Sequence, residues 1–296
     1  MMKLRLFRYL MRHPLNRTMR LKAALDIGRW TIATKLLRGS EVILPFVNGS
    51  KIIAVPGRWG AEANALCGMH DFSDMGFLLH FLRPTDLFCD VGANVGEYTV
   101  LASAAVGARS IAFEPIQSSY MDLRKNIEIN SVAPLVDTRR MAIGSKWGHL
   151  TMTSDRDTQN HVIVNQATKA IESIVVDTLD NMLAGIPPQL IKVDVEGWEH
   201  EVFKGAESTL RCTNLMAIIV ELNQSGDRYG FSDDSVHQML LDHDFSTYHY
   251  LPFERRLIDL GGKHNSAGNT LYIRNLEIVG ERLRTASRFN VRNLQI

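Results

Sequence analysis

An apolar run, Leu87-Phe-Cys89, feeds without a break into Asp90-Val-Gly-Ala-Asn-Val-Gly96 and then into a helix-forming segment. No other stretch restricts the fold as tightly. The order describes a strand, a tight turn and a helix N-terminus, because glycine adopts positive φ at little cost and lets the backbone approach a ligand closely. Amide N–H groups in such a turn are expected to point outward, with Asp90 beside them at the strand's end. A nucleotide-like ligand suits that place, although a plain strand-to-helix connection would use the same glycines. The dinucleotide fingerprint GxGxxG does not fit, since counting from Gly92 its second glycine falls on Asn94 and its third on Glu97. A carboxylate there would face a pyrophosphate with the wrong charge.

One βαβ unit later, Ser110-Ile-Ala-Phe113 ends in Glu114-Pro115, where a doubly wound sheet sets an acid against ribose hydroxyls. The glycine turn and this acid together describe a nucleoside site. Between them, residues 99–106 continue as a helix that stops at Gly107. The next helix turns Tyr120, Leu123 and Ile127 toward the core, and leaves Asn126 and Asn130 either to line the ligand pocket or to cap the helix end.

Three segments in this order, Asp90-Val-Gly-Ala-Asn-Val-Gly-Glu-Tyr-Thr99, Phe113-Glu-Pro115 and Ile191-Lys-Val-Asp-Val-Glu-Gly-Trp-Glu-His200 with Val202-Phe-Lys-Gly-Ala206, resemble the FkbM family of methyltransferases. The resemblance covers residues 76–275. It implies an α/β, Rossmann-like class I methyltransferase fold, with a mostly parallel seven-stranded sheet and an antiparallel closing strand. Residues 1–75 would then be a basic helical extension with a small hairpin, and residues 276–296 a tail. The implied cofactor is S-adenosylmethionine (SAM), bound by Asp90, Gly92, Ala93, Asn94, Gly96 and Glu114. The implied reaction is O-methylation of a hydroxyl on a sugar, glycan or secondary metabolite. Many SAM enzymes place an acid against adenine after the third strand, here read as residues 139–143. This chain has Ala142-Ile-Gly144 instead, so backbone groups and apolar contact at Ala142 are expected to hold the base.

Leu190-Ile-Lys-Val193 delivers Asp194 to the sheet's C-terminal edge, with Glu196 just beyond and Gly197 permitting a tight turn. Open α/β sheets bind ligands at that edge. Methyl transfer to oxygen asks a protein to position the acceptor and remove its proton. Asp194 is therefore the first candidate for general base or for orienting the acceptor, with Glu196 next and His200 after them. Residues 217–223 form the following strand and bring Glu221 and Asn223 to the same mouth as substrate contacts, and His161 in the preceding insertion is a further substrate candidate. Asp194, Glu196, Glu221 and Asn223 could also supply oxygens to Mg²⁺, but two adjacent strands ending in polar residues give the same spacing, so no metal is expected. The ten histidines show no zinc-ligand pattern.

A chain of 296 residues, 45% hydrophobic, can bury a large core. Its net charge of +1 conceals a basic front, where ten lysines and arginines from Lys3 to Arg38 face a single acid, Asp26. In the first 12 residues Leu4, Phe7 and Met11 recur at helical spacing beside Arg5, Arg8 and Arg12, a basic amphipathic pattern that suits either an anionic membrane surface or packing on the domain. Leu21, Leu25, Ile32 and Leu36 imply a second helix that ends near Gly39. Cys67, Cys89 and Cys212 form no disulfide pattern, no apolar run approaches the ~18 residues a spanning helix needs, and Arg8 and Arg12 interrupt the only leader-like stretch. A cytoplasmic protein is expected, peripheral to a membrane at most. An RNA methyltransferase with the basic front as its substrate arm, or a nonenzymatic nucleoside-binding or membrane-docked scaffold, are the alternative readings; nucleic acid is disfavoured because no recognition module is present. Nothing in the sequence fixes the oligomeric state.

Overall fold

The computed structural model describes residues 8–17, 20–36, 40–55, 63–64, 66–153, 160–163, 171–265 and 268–296. Lys3, Arg5, the Trp59 loop and most of the polar stretch after Thr153 lie outside them. Two short strands, β1 (Val42–Pro45) and β2 (Lys51–Ala54), pair antiparallel across Asn48 and Gly49, both at positive φ. That backbone twist matches the twist of the strands it joins.

The main sheet starts with β3 (Leu87–Val91), β4 (Arg109–Phe113) and β5 (Val136–Arg139). The chain then leaves it for a three-stranded sheet of β6 (Ala142–Ile143), β7 (Gly148–Thr153) and β8 (Ile171–Asp177), in which β8 is central. It returns through β9 (Leu190–Val193), β10 (Ala217–Leu222), β11 (Ser246–Leu251), β12 (Arg256–Asp259) and β13 (Gly268–Ile273). The order across the main sheet is β12-β11-β13-β10-β9-β3-β4-β5. Neighbours from β10 to β5 run parallel, and the pairs β10 with β13, β13 with β11 and β11 with β12 are antiparallel. This is the class I methyltransferase arrangement. The sheet is mixed and has eight strands rather than the expected seven, because the chain after Leu251 turns back and adds β12 at the edge. The third strand also ends earlier than expected. Ala142 and Ile143 belong to the second sheet, paired with Val176 and Asp177.

Side chains alternate across a strand, so each buried strand feeds two cores. On β3, Phe88 joins a core built with Phe77, Phe81, Leu101, Tyr250 and Leu283, under the helices Phe72–Phe81 and Leu276–Thr285. Leu87, Cys89 and Val91 point the other way, to Ile191, Val202, Phe203 and Leu240. The same alternation makes one face polar at the C-terminal ends of three adjacent strands. Asp90 shares a face with Phe88, Lys192 with Leu190, and Glu221 with Ala217 and Ile219. Asp90 and Lys192 are direct cross-strand partners.

Residues 276–296 are not a tail. They form a helix and the hairpin β14 (Asn290–Val291) with β15 (Leu294–Gln295), and Val279, Leu283, Phe289, Val291 and Ile296 are buried in the first core. The N-terminal region packs on the same body. Leu10 is buried with Leu66 and Cys67, and the Tyr9 hydroxyl donates to the His70 carbonyl at 2.7 Å. Among the described residues no helix is long and apolar enough to cross a membrane.

Candidate active site

Order in the sheet reverses between β3 and β9, and a cavity of about 340 Å³ opens at the C-terminal ends of these strands. Its floor is the Gly92 turn. Gly92 stands at φ +82°, and a Cβ there would lie 1.9 Å from the Asp194 carbonyl oxygen, so the turn and the end of β9 pack backbone to backbone. At Gly96, φ +87°, a Cβ would meet the buried Leu123 side chain at 2.3 Å. Both positions need glycine.

Four amides of the turn are already engaged rather than free for a ligand. Gly92 and Ala93 N–H both donate to the Phe113 carbonyl, Gly96 N–H to the Ala93 carbonyl, and Asn94 N–H to Glu114 Oε2 at 2.9 Å. Carboxylates face the ligand instead. Glu114 accepts from Ile116 N–H through its other oxygen, and burial pushes its pKa up to about 7. Each oxygen keeps a lone pair for a ribose hydroxyl. Asp90 accepts from the Thr99 hydroxyl through Oδ2 at 2.7 Å, whereas its buried Oδ1 has no partner among the described residues.

Lys192 ties this floor to the acceptor side. Its Nζ lies 2.9 Å from Asp194 Oδ2 and 4.8 Å from the centre of the Tyr98 ring. Burial works against the ammonium, but Asp194 and Asp90 outweigh it and raise the pKa above the usual lysine range. Beyond Asp194, Glu196 sits at φ +55°, strained for a non-glycine residue. Carboxylate oxygens of Asp194, Glu196 and Glu221 all fall within 4.8 Å of one another. Burial and then the Asp194 charge push Glu196 up to about 7; burial, Asp194 and Glu196 push Glu221 up to about 8. These three acids could take a hard divalent cation or a cationic ligand.

A further wall comes from residues that the sequence did not single out. His70 Nε2 is 3.0 Å from Asp71 Oδ2 and its Nδ1 3.4 Å from Glu97 Oε2. Burial opposes a charge on the ring, yet these two carboxylates push His70 up to about 9. Tyr98 donates to Asp71 at 3.1 Å. The opposite end of the cavity is apolar, with Ile116, Met141, Ala142, Met152 and Val162, and the buried Trp198 indole N–H there has no partner among the described residues.

Of the expected site residues, Asp90, Gly92, Ala93, Asn94, Glu114, Ala142, Asp194, Glu196 and Glu221 line the cavity. Gly96 supports it from below. Asn223 does not reach it: the residue is exposed and its Oδ1 accepts from Ser225 N–H, shaping the next turn. His161 is buried in strand pairing with Thr153, while its neighbours Asn160 and Val162 are the ones on the cavity wall. His200 stacks on Phe231 at 4.3 Å and lies away from the lining. Asn126 and Asn130 serve the fold. Asn126 accepts from Ile53 N–H and donates to the Val95 carbonyl, and Asn130 accepts from Lys51 N–H and donates to its carbonyl, so both lash β2 to the helix Gln117–Ile129. Lys192 was readable in principle, as a lysine on the inward period of a wholly apolar strand.

A model of the methyltransferase FkbM domain matches residues 90–247, more than half of the chain. The chain belongs to the FkbM methyltransferase family. Among curated relatives, the hexuronic acid methyltransferase AglP of Haloferax volcanii is 30% identical over 154 residues, which cover 51% of this chain and 61% of that protein. Among solved structures, the methyltransferase FkbM from Methylobacillus flagellatus superposes with a TM-score of 0.45 at 16% identity, over 65% of this chain and 44% of that one. A putative rRNA methylase from Clostridium thermocellum gives 0.42 at 12% identity, over 68% and 92%. The chain thus spans about three fifths of its curated relative and less than half of the Methylobacillus protein.

SAM is the family's cofactor, and the cavity fits it. The unpartnered Asp90 Oδ1 offers an acceptor to an ammonium, Glu114 suits a ribose, and the apolar end receives a flat base beside Ala142. Glu97 on the wall disfavours a ligand that bears phosphate at the same place.

Proposed function

We propose that the chain transfers a methyl group from SAM to a hydroxyl oxygen of a sugar or glycan. The observation that carries this reading is the cluster of Asp194, Glu196 and Glu221, which converges beside the cofactor cavity at the switch point of the sheet. Similarity to a protein named as a hexuronic acid methyltransferase supports a sugar acceptor. When bound, SAM supplies an electrophilic methyl on a sulfonium. The residues around it would do the rest. Asp194, with Oδ2 held by Lys192, keeps Oδ1 for orienting an acceptor hydroxyl, and Glu196 receives the proton because its pKa near 7 matches working pH. Glu221 closes the acceptor side.

The test combines calorimetric titration with SAM and isotope transfer from labelled SAM to a panel of sugars, glycans and RNA, read by mass spectrometry. SAM binding with label on a sugar oxygen is the expected result. Label on RNA or on nitrogen, or no SAM binding by the folded protein, overturns the reading.

A further inference from the structure

The helix Arg20–Leu36 packs on the body by one side only. Ala23 is buried, Ile27 and Trp30 pack against the cluster of Leu10, Leu66 and Cys67, and Asp26 turns inward to an ion pair with Arg292. The four residues that the sequence made periodic lie on the other side. Leu21 is 78% exposed, Leu25 55%, Ile32 61% and Leu36 78%. At ~100° per residue they fall within an arc of about 60°, and the buried residues lie across the helix from them. Periodicity thus located a real stripe, but one that faces out. Four large apolar side chains in a row exceed the scattered exposure normal for a soluble surface.

We propose that this outer face docks the protein on an anionic lipid bilayer. Charge carries the choice of occupant. Lys22 and Arg29, both exposed, border the stripe on one side, Arg20 is exposed about 100° round the helix from Leu21, and Arg17 stands exposed just before the helix. Asp26, the only acid among the first 40 residues, is neutralised on the inner side by Arg292. An apolar stripe bordered by cations, parallel to the helix axis, is the pattern of a helix lying in the plane of a membrane interface, where its leucines enter the acyl boundary and its cations meet lipid phosphates. A second copy of the chain would fit poorly, because a two-fold contact through this face brings Lys22 and Arg29 of one copy near the same cations of the other. Leu10 meets the helix on its other side, through Ile27 and Trp30, and no residue of the helix lines the cavity.

The test is sedimentation of the full chain with vesicles of phosphatidylcholine alone or mixed with phosphatidylserine. Wild type is expected to sediment with the mixed vesicles, less so at high salt, and to stay in solution with the neutral ones. Two variants separate the contributions: L21S/L25S/I32S removes the stripe, and R20E/R29E reverses two of the helix's exposed cations. Each should lower the bound-to-free ratio by at least about tenfold with SAM affinity and circular dichroism unchanged. Wild type remaining in solution with anionic vesicles at low salt overturns the proposal. So does undiminished binding by L21S/L25S/I32S, which would leave a polyanion such as RNA as the partner of the arginines, or a wild-type dimer that this variant dissociates, which would make the stripe a subunit contact. If the serine variant fails to fold, R20E/R29E decides alone.

Discussion

Two carboxylates on one turn are given different tasks by their neighbours. Lys192 holds one oxygen of Asp194, whereas Glu196 is half-buried, has its pKa pushed up to about 7 by that burial and by the Asp194 charge, and sits in a strained backbone. A base must be ionised to accept a proton, so turnover should rise with pH through about 7. In Glu196→Gln the rise should vanish and the rate fall by ~10² to 10⁴. Asp194→Asn removes a charge that raises the Glu196 pKa, so its remaining activity should rise at lower pH than wild type, with SAM affinity changed much less than rate. Single-turnover rates against pH at saturating SAM check both. A Glu196→Gln enzyme with wild-type rate and profile would move the base to Glu221.

At the scale of elements, the site depends on a side chain that never touches it. Asn126 lies fully buried between β2 and the Gly92 turn, accepting from Ile53 N–H and donating to the Val95 carbonyl, each at 2.8 Å. Asn126→Ala would strand both backbone groups and should lower stability by roughly 2–4 kcal/mol; Asn126→Asp, which keeps the acceptor but sets a buried carboxylate oxygen against the Val95 carbonyl, should lose at least as much at neutral pH. Urea unfolding measures the difference, and an Ala variant within about 0.5 kcal/mol of wild type would show that the lashing is idle. The sequence made this helix and the strand before it readable, because Tyr120, Leu123 and Ile127 recur at helical spacing and Ile111-Ala-Phe113 is a continuous apolar run. It could not show that Asn126 faces β2, since partners 73 residues apart leave no local pattern. The same limit hid His70, which reaches the cavity from just before the helix Phe72–Phe81, an earlier part of the chain. Ala142 and Ile143 were misplaced for a different reason. Two apolar residues fit either sheet, and pairing with β8 decides between them. Asn223 failed because strand alternation stops at Leu222, and the turn claims its side chain.

Across the whole molecule, the chain's two flanks meet. Arg292 donates to Asn16 Oδ1 and the Leu66 carbonyl, both at 2.7 Å, and pairs with Asp26 on the inner side of the helix Arg20–Leu36. Arg292→Ala should loosen that helix without disturbing the cavity. Amide exchange over residues 20–36 should speed up by about tenfold or more while SAM affinity stays constant, and unchanged protection by mass spectrometry would show that packing at Trp30 suffices. Sequence periodicity found the helix and could not say which side it buries, because both sides carry apolar residues. The clasp also imposes a timetable. On the ribosome the helix Arg20–Leu36 emerges early, and Arg292 follows only after the entire catalytic body has been translated. During that interval Asp26 lacks its partner and the outer stripe lies bare, which makes this segment of the nascent chain a natural client for a holding chaperone until the hairpin of β14 and β15 arrives to seat it.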